Sequence, residues 1–408
     1  MLYYSHTLPN GLRMVHMPTH SPVAYCGLAI NAGAREERPE ESGLAHFVEH
    51  MLFKGTRKRK AWHILNRMEY VGGELNAYTS KEETFVYAIF MAENYERAIE
   101  LIADLIIHSQ FPAGEIEKER AVILDEIQSY EDNPSDLIFD EFENLLFEAH
   151  PLGHHILGDK RSLRSFGSES ARSFADRYYT AGNMVFFSMG NMDFRRIMKL
   201  AEKYLAEAPG HAPANHREKP HPAPFRPSPL KKRKKTHQSH VLLGGRAYDM
   251  YDERRIALFL LNNMLGGPGM NSRLNVAVRE KRGLVYTVES NVASYTDTGL
   301  FSVYFGSDPK NRDKVIRLVE KELCRLRENR LGDFQLSAAK KQVIGQMGVS
   351  GDQKEGLSLG LGKSFLHYDR YESLPETALK INAVTAAQLQ DIANELFAPE
   401  HLLTLIYE

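Results

Sequence analysis

The sequence predicts an α+β protein made of two domains of similar topology. Three observations lead there. The chain has 408 residues, long for one domain and comfortable for two. Stretches of strand and helix periodicity alternate along both halves. The second half also repeats patterns of the first at a nearly constant offset, after a proline-rich break. Hydrophobic residues make up 43%, charged residues 25%, and the formal net charge is -2. That balance is ordinary for a globular protein and argues against an electrostatic nucleic-acid binder.

Residues 3–18 read as strand, turn, strand, with Pro9-Asn10-Gly11 as the hairpin signal. Residues 23–31 are an apolar strand of the kind found in a sheet centre. A charged loop follows, and Ser42 is the expected cap of a helix that must end near Gly55. A second helix over 61–71 is closed by Gly72-Gly73. Residues 74–80 and 83–91 are strands, and 95–108 are amphipathic at helical spacing. The helix over 115–130 opens with acidic residues that suit its positive end, and 136–147 continue helical. A short helix over 174–179, a strand over 184–190 and a helix over 194–205 complete the first half.

Residues 208–229 carry seven prolines, which fit neither helix interiors nor central strands. They read as a semi-extended linker between a first domain, 1–207, and a second, 230–408. The run Lys231-Lys-Arg-Lys-Lys235 reads as a solvated strand entry, because nothing else on the chain is basic in bulk. Cys26 and Cys324 read as thiols, not a disulfide framework. No apolar run approaches the roughly 18 residues of a membrane-spanning helix. No basic segment followed by an apolar one opens the sequence, so no membrane partner and a cytoplasmic location are expected.

The chemistry concentrates in His46-Phe47-Val48-Glu49-His50. On a helix, His46 and His50 project from one face and Glu49 lies to the same side. Two neutral imidazoles one turn apart can hold a divalent metal, and the carboxylate can take a proton from a metal-bound water. The order H-x-x-E-H inverts the commoner zinc-protease motif. Such a site needs at least one more protein ligand. The acidic helix downstream offers Glu119 and Glu126, seven residues apart and on a shared face. Spacing alone does not choose between them. The internal repeat adds an asymmetry. Glu83–Met91 matches Thr298–Gly306 at an offset of 215, which also sets Asn76 against Asn291. His46–Leu52 matches Phe259–Leu265 at an offset of 213, so His46, Glu49 and His50 face Phe259, Asn262 and Asn263. One domain can hold a metal at this helix and its copy cannot.

The sequence resembles the inverzincin zinc metallopeptidases of the mitochondrial processing peptidase, pitrilysin and insulin-degrading enzyme group, in a short bacterial-type form. The resemblance runs through nearly the whole chain. It is carried by Asn31-Ala-Gly-Ala-Arg-Glu-Glu37, Gly43-Leu-Ala-His-Phe-Val-Glu-His50, Asn76-Ala-Tyr-Thr79, Glu117-Lys-Glu-Arg120 with Glu126, Ser272-Arg-Leu274 and Arg279-Glu-Lys-Arg-Gly-Leu-Val-Tyr286. It implies two homologous domains, each a mostly antiparallel mixed sheet with helices packed on it. The family's distal glutamate ligand lies 76 residues after the second histidine, which here is Glu126. The resemblance therefore implies one Zn2+ per chain on His46, His50 and Glu126, with Glu49 as general base and Glu119 orienting the site or sharing proton transfer. It implies that Asn76, Ala77 and Tyr78 pair with an extended peptide along a strand edge. It further implies that Arg279 holds the peptide backbone and Tyr286 donates to the oxyanion. Gly266-Gly-Pro-Gly-Met270 resembles a short form of the glycine-rich loop in the processing peptidase's partner subunit. The implied activity is endopeptidase cleavage of unfolded or oligopeptide substrates in a homodimeric chamber. The Arg/Tyr pair of one chain would serve the metal of the other. A non-catalytic subunit is disfavoured because every ligand and the base are present.

Overall fold

The hairpin signal at Pro9-Asn10-Gly11 closes β1 (Tyr4–Thr7) onto β2 (Arg13–Pro18), with Tyr4 opposite His16. The computed structural model describes residues 3–148, 150–211, 217, 220–221 and 228–408. Most of the expected linker over 208–229 lies outside the described residues. After β2 come β3 (Val23–Ile30), α1 (Leu44–Leu52), α2 (Ala61–Glu69), β4 (Glu74–Thr79), β5 (Thr84–Met91) and α3 (Tyr95–His108). Then follow α4 (Ala113–Glu131), α5 (Pro134–Leu146), α6 (Lys160–Ser165), α7 (Ser168–Tyr178), β6 (Met184–Gly190) and α8 (Phe194–Leu205). The short helix expected over 174–179 is longer, because its first turns, Ser-Glu-Ser-Ala-Arg-Ser, carry little apolar periodicity. The second half contributes β7 (Leu230–Lys232), β8 (Ser239–Ala247), α9 (Arg255–Gly266), β9 (Val285–Ser294), β10 (Gly299–Ser307), α10 (Arg312–Glu328) and α11 (Asp333–Ser350). It ends with α12 (Lys354–Tyr368), α13 (Leu374–Ala383), α14 (Ala386–Leu396) and β11 (Leu403–Tyr407).

The expected α+β class with two similar mixed sheets is borne out. The first sheet has strand order β1-β2-β6-β3-β5-β4 and the second β7-β11-β8-β10-β9. In each, one parallel pair (β2 with β6, β7 with β11) sits among antiparallel neighbours. The register repeats as well. Asn76 faces Tyr87 across β4 and β5, and Asn291 faces Ser302 across β9 and β10, at the same offset of 215.

Each sheet is covered on both faces, which is why its central strands read as continuous apolar runs. In β5, Val86, Ala88 and Phe90 face the core that α1, α3, α7 and α8 complete. Phe85 and Tyr87 face the other way, onto Leu361, Phe365 and Leu366 of α12. In the second sheet, Val303 and Phe305 pack with α9, α10 and α14. Leu242, Tyr304 and Leu405 pack instead against Leu137, Ile138, Phe142 and Leu146 of α5.

The compact units consequently differ from the division expected at 1–207 and 230–408. The first comprises Met1–Gln128, His154–His216 and Gly351–Glu372; the second comprises Ser129–Gly153, Arg217–Ser350 and Ser373–Glu408. Every strand belongs to the half that the sequence assigns it to, but each half supplies one helix to the other half's sheet. Periodicity reports that a helix is amphipathic, not which sheet it covers. The basic run is absorbed by the second unit, where Lys232 and Lys234 pair with Glu141 of α5. Both cysteines are free thiols. Among the described residues no helix is long and apolar enough to cross a membrane.

Candidate metal centre

Helix α1 begins at Gly43, whose φ of +90° is a left-handed conformation that favours glycine. A Cβ there would also lie 2.7 Å from the Leu157 carbonyl oxygen. Ser42 does not cap the helix by its side chain, contrary to expectation. The cap comes from six residues upstream: Glu37 accepts the Gly43 N–H at 2.9 Å and the Ala45 N–H at 2.8 Å. One carboxylate thereby satisfies two of the orphan donors at the helix start. Burial pushes the Glu37 carboxyl well above its usual range, against the lowering effect of those two bonds. The segment carrying Glu37 is itself pinned. Arg35 pairs with Glu82 at 2.6 Å with both side chains buried, and the backbone N–H groups of Ala34 and Arg35 donate to the carbonyls of Ser80 and Lys81.

With the helix so fixed, His46 and His50 lie one turn apart, their rings tilted edge to face at 60° with 4.5 Å between centroids. Glu126 of α4 reaches them: its Oε2 lies 3.8 Å from His46 Nε2 and 3.6 Å from His50 Nε2. Tetrahedral ligation at about 2.0–2.1 Å sets ligand atoms roughly 3.4 Å apart, so this trio fits a zinc-sized ion. Glu119 on the same helix face does something else. Its Oε1 is 2.8 Å from His50 Nδ1 and its Oε2 2.5 Å from Lys54 Nζ. A bond at Nδ1 leaves Nε2 as the free lone pair, the tautomer a metal requires. Burial, helped by the neighbouring His50, lowers His46 to about 3, so its ring is neutral and ready to ligate. His46 Nδ1 is buried without a hydrogen-bond partner among the described residues.

Glu49 sits beside this trio and accepts a hydrogen bond of 2.6 Å from the Thr79 hydroxyl. Burial raises its proton affinity; Thr79 and His50 work in the opposite direction, and Glu126 adds to the rise. Thr79 ends β4, which among the described residues pairs with β5 alone and forms an edge of the first sheet through Asn76, Ala77 and Tyr78. The Tyr78 ring stacks on Phe85 at 5.0 Å, which turns that side chain to the α12 face.

In the second unit the emptied copy has been refilled with amides. Asn262 donates to the Ser290 carbonyl at 3.0 Å, and Asn263 donates to Gln346 Oε1 at 2.9 Å. Gln346 belongs to α11. Phe259, opposite His46 in the repeat, is exposed. Arg279 and Tyr286 come together here. Arg279 lies on a π-helical turn, Asn275–Glu280, with its guanidinium 5.9 Å from the Tyr286 ring centroid. Tyr286 is 82% exposed. Sequence reasoning missed Thr79, Lys54 and Glu37. No spacing rule links a strand-end hydroxyl to a carboxylate 30 residues away.

A His-His-Glu trio beside a buried carboxylate, in one of two duplicated α+β units, defines a metal-dependent hydrolase of the inverted H-x-x-E-H class. The chain belongs to peptidase family M16: the family model described as "Insulinase (Peptidase family M16)" matches residues 13–160. The model described as "Peptidase M16 inactive domain" matches residues 165–343. The chain is 34% identical over 403 residues to "Uncharacterized zinc protease YmxG" of Bacillus subtilis, covering 98% of this chain and 97% of that one. It is 32% identical over 393 residues to an "Uncharacterized zinc protease" of Rickettsia felis, covering 96% and 94%. Its fold matches that of a peptidase M16 inactive domain from Pseudomonas fluorescens, with a TM-score of 0.92 at 20% identity over 100% of this chain and 98% of that one. It also matches a protease from Helicobacter pylori, with a TM-score of 0.89 at 22% identity over 100% and 99%. The resemblance read from the motifs is thus borne out, and the chain is a metallopeptidase, a hydrolase of peptide bonds.

Proposed function

We propose that this chain is a zinc-dependent endopeptidase that holds one zinc ion on His46, His50 and Glu126. One observation carries the reading: ligand atoms of these three residues lie within 4.8 Å of one another, with Glu49 alongside. Zinc over another divalent ion is supported by the names of the relatives and by the mixed imidazole and carboxylate donors. Bound there, zinc would supply a Lewis acid for the scissile carbonyl and would acidify its water. Glu49 would take the proton from that water and deliver it to the leaving amine. A proton affinity raised by burial suits a carboxylate that must hold that proton between the two steps. Glu119 would hold His50 in the ligating tautomer.

Substrate would add to β4 as a further strand, with backbone groups of Asn76, Ala77 and Tyr78 as partners, so that many sequences bind. Arg279 would hold the peptide backbone, and Tyr286 would donate to the oxyanion. By the family resemblance the working form is a cytoplasmic homodimer whose chamber admits unfolded chains and oligopeptides. There the Arg279/Tyr286 pair of one chain would serve the metal site of the other. The test is zinc content together with cleavage of a quenched peptide, wild type against Glu49→Gln. The variant should keep its zinc and lose roughly 100- to 10,000-fold in kcat. Equal cleavage by the two proteins would overturn the role given to Glu49. Size-exclusion chromatography that finds an active monomer would sink the homodimer.

A further inference from the structure

Glu83 is a buried carboxylate for which the mechanism above has no use. It lies 4% exposed immediately before β5, and three side chains converge on it. His367 Nε2 is 2.8 Å and Lys363 Nζ 2.9 Å from Oε1, both from α12. The Ser80 hydroxyl donates to Oε2 at 2.8 Å. The loop between β4 and β5 is closed around this carboxylate. The Glu83 N–H donates to Ser80 Oγ at 3.0 Å, and the Ser80 N–H donates to the Glu83 carbonyl at 2.8 Å. Burial alone would raise the Glu83 carboxyl, but its bond to His367 and the charge of Lys363 hold it at about 2, so it stays an anion. The residue before Ser80 is Thr79, which holds Glu49. Helix α12 is fastened along the same face by the Tyr87 hydroxyl to Glu355 at 2.7 Å. It approaches so closely that a Cβ on Gly362 would lie 2.7 Å from the Phe187 ring.

We propose that Thr79 is the positioning residue of Glu49, and that α12, through Lys363, His367 and Glu83, fixes the turn that aims the Thr79 hydroxyl. The inference rests on Glu49 being the general base. A hydroxyl holds one carboxylate oxygen in a fixed direction only if its own backbone is held, and here the turn after Thr79 is tied by Glu83 to Lys363 and His367 from the opposite half of the chain. The second half of the sequence therefore contributes to the chemistry of the first unit through a helix that touches no reacting atom. Thr79 would leave the second oxygen of Glu49 as the one available to a proton.

The test uses full-length protein carrying Thr79→Val, Thr79→Ser, Glu83→Gln, or Lys363→Met with His367→Leu. Readouts are kcat and KM on a quenched peptide, zinc content, and amide exchange at Ser80. Thr79→Val should lower kcat roughly 10- to 100-fold with KM and zinc content within about twofold, the loss typical of an orienting partner. Thr79→Ser, which keeps the hydroxyl, should stay within about threefold of wild type. The Lys363/His367 variant should lower kcat about tenfold and speed Ser80 amide exchange by a similar factor. Should that pair fail to fold, Glu83→Gln, which keeps the size of the side chain, reads the same step. Thr79→Val with unchanged kcat, or with its loss in KM or zinc, overturns the inference, as does unchanged exchange and turnover in the Lys363/His367 or Glu83 variant. An inactive Glu49→Gln beside a fully active Thr79→Val sinks this inference alone. A fully active Glu49→Gln removes the base reading on which it stands.

Discussion

At the scale of single residues, position in the chain and position in space part company. The pair Glu119 and Glu126 was undecided by spacing, because seven residues put both on one helix face. Geometry separates them: Glu126 Oε2 meets two Nε2 atoms, while Glu119 meets the far nitrogen of His50 and Lys54. His46, Glu49, His50, Glu119 and Glu126 were legible as candidates because helix periodicity fixes which side chains share a face, while the choice of Glu126 came from the family resemblance. Thr79 and Lys54 were not, because their roles depend on how separate elements meet. His16 is another residue whose surroundings only the fold supplies. It is fully buried, 3.1 Å from the Ser188 hydroxyl, which in turn donates to Tyr95. Burial lowers its imidazole from the ordinary value of 6.5 to about 4. The unfolded chain then binds a proton at a higher pH than the folded one does. The stability from keeping His16 neutral is complete above the unfolded value and is lost as pH falls from about 6.5 towards 4, about 2 kcal/mol between pH 7 and pH 5. Urea unfolding of wild type and His16→Gln at both pH values checks this. The wild type should lose more stability on acidification than the variant by about that amount, and parallel losses would show that His16 is not the group responsible.

At the scale of elements, the boundaries of α1 carry the most instructive discrepancy. A serine ahead of an apolar helical run is a sound cap signal, and Ser42 has the right identity. The structure instead starts α1 at Gly43 and caps it with Glu37, a long-range solution that a local rule cannot express. The charged loop before α1 is thus a brace, tied by Arg35 to Glu82 and by backbone bonds to the turn that also carries Ser80. That brace holds the first turn of α1, the helix that carries both histidines. Glu37→Gln would turn an amide NH2 towards one of two backbone N–H groups, leaving a buried donor unsatisfied at a cost of about 1–3 kcal/mol. Ser42→Ala should stay within about 0.5 kcal/mol of wild type, since the Ser42 side chain does not cap the helix. Thermal melts of the two variants check the contrast. A Ser42→Ala protein destabilised as much as Glu37→Gln would restore the local cap as the correct account.

At the scale of the whole molecule, the duplicated pattern was legible down to register, since Asn76 with Tyr87 and Asn291 with Ser302 repeat at one offset. Hydrophobic spacing of that kind persists where the polar side chains differ, as at His50 and its counterpart Asn263. What spacing does not encode is the exchange of helices between units. The β2-β6-β3-β5 surface presents Val15, Phe85, Val185 and Phe187 on the face away from α1, and α12 covers it with Leu361, Phe365 and Leu366. Burying three such side chains is worth roughly 5–9 kcal/mol. The net stability of a domain is only about 5–15 kcal/mol. A polypeptide cut at the proline-rich break, residues 1–207, therefore gives up a cover comparable to its entire stability. It also keeps α5, whose Leu137, Ile138, Phe142 and Leu146 have lost the sheet they pack on. It should be insoluble or melt without cooperativity. Joining residues 1–128, 154–211 and 351–372 through flexible linkers restores α12 and removes α5, and should give a soluble protein with a cooperative melt that binds zinc. Circular dichroism melts and zinc titration of the two polypeptides decide between the divisions. If residues 1–207 alone fold cooperatively, α12 is a dispensable cover, and the unit that carries His46, His50 and Glu126 is contiguous along the chain after all.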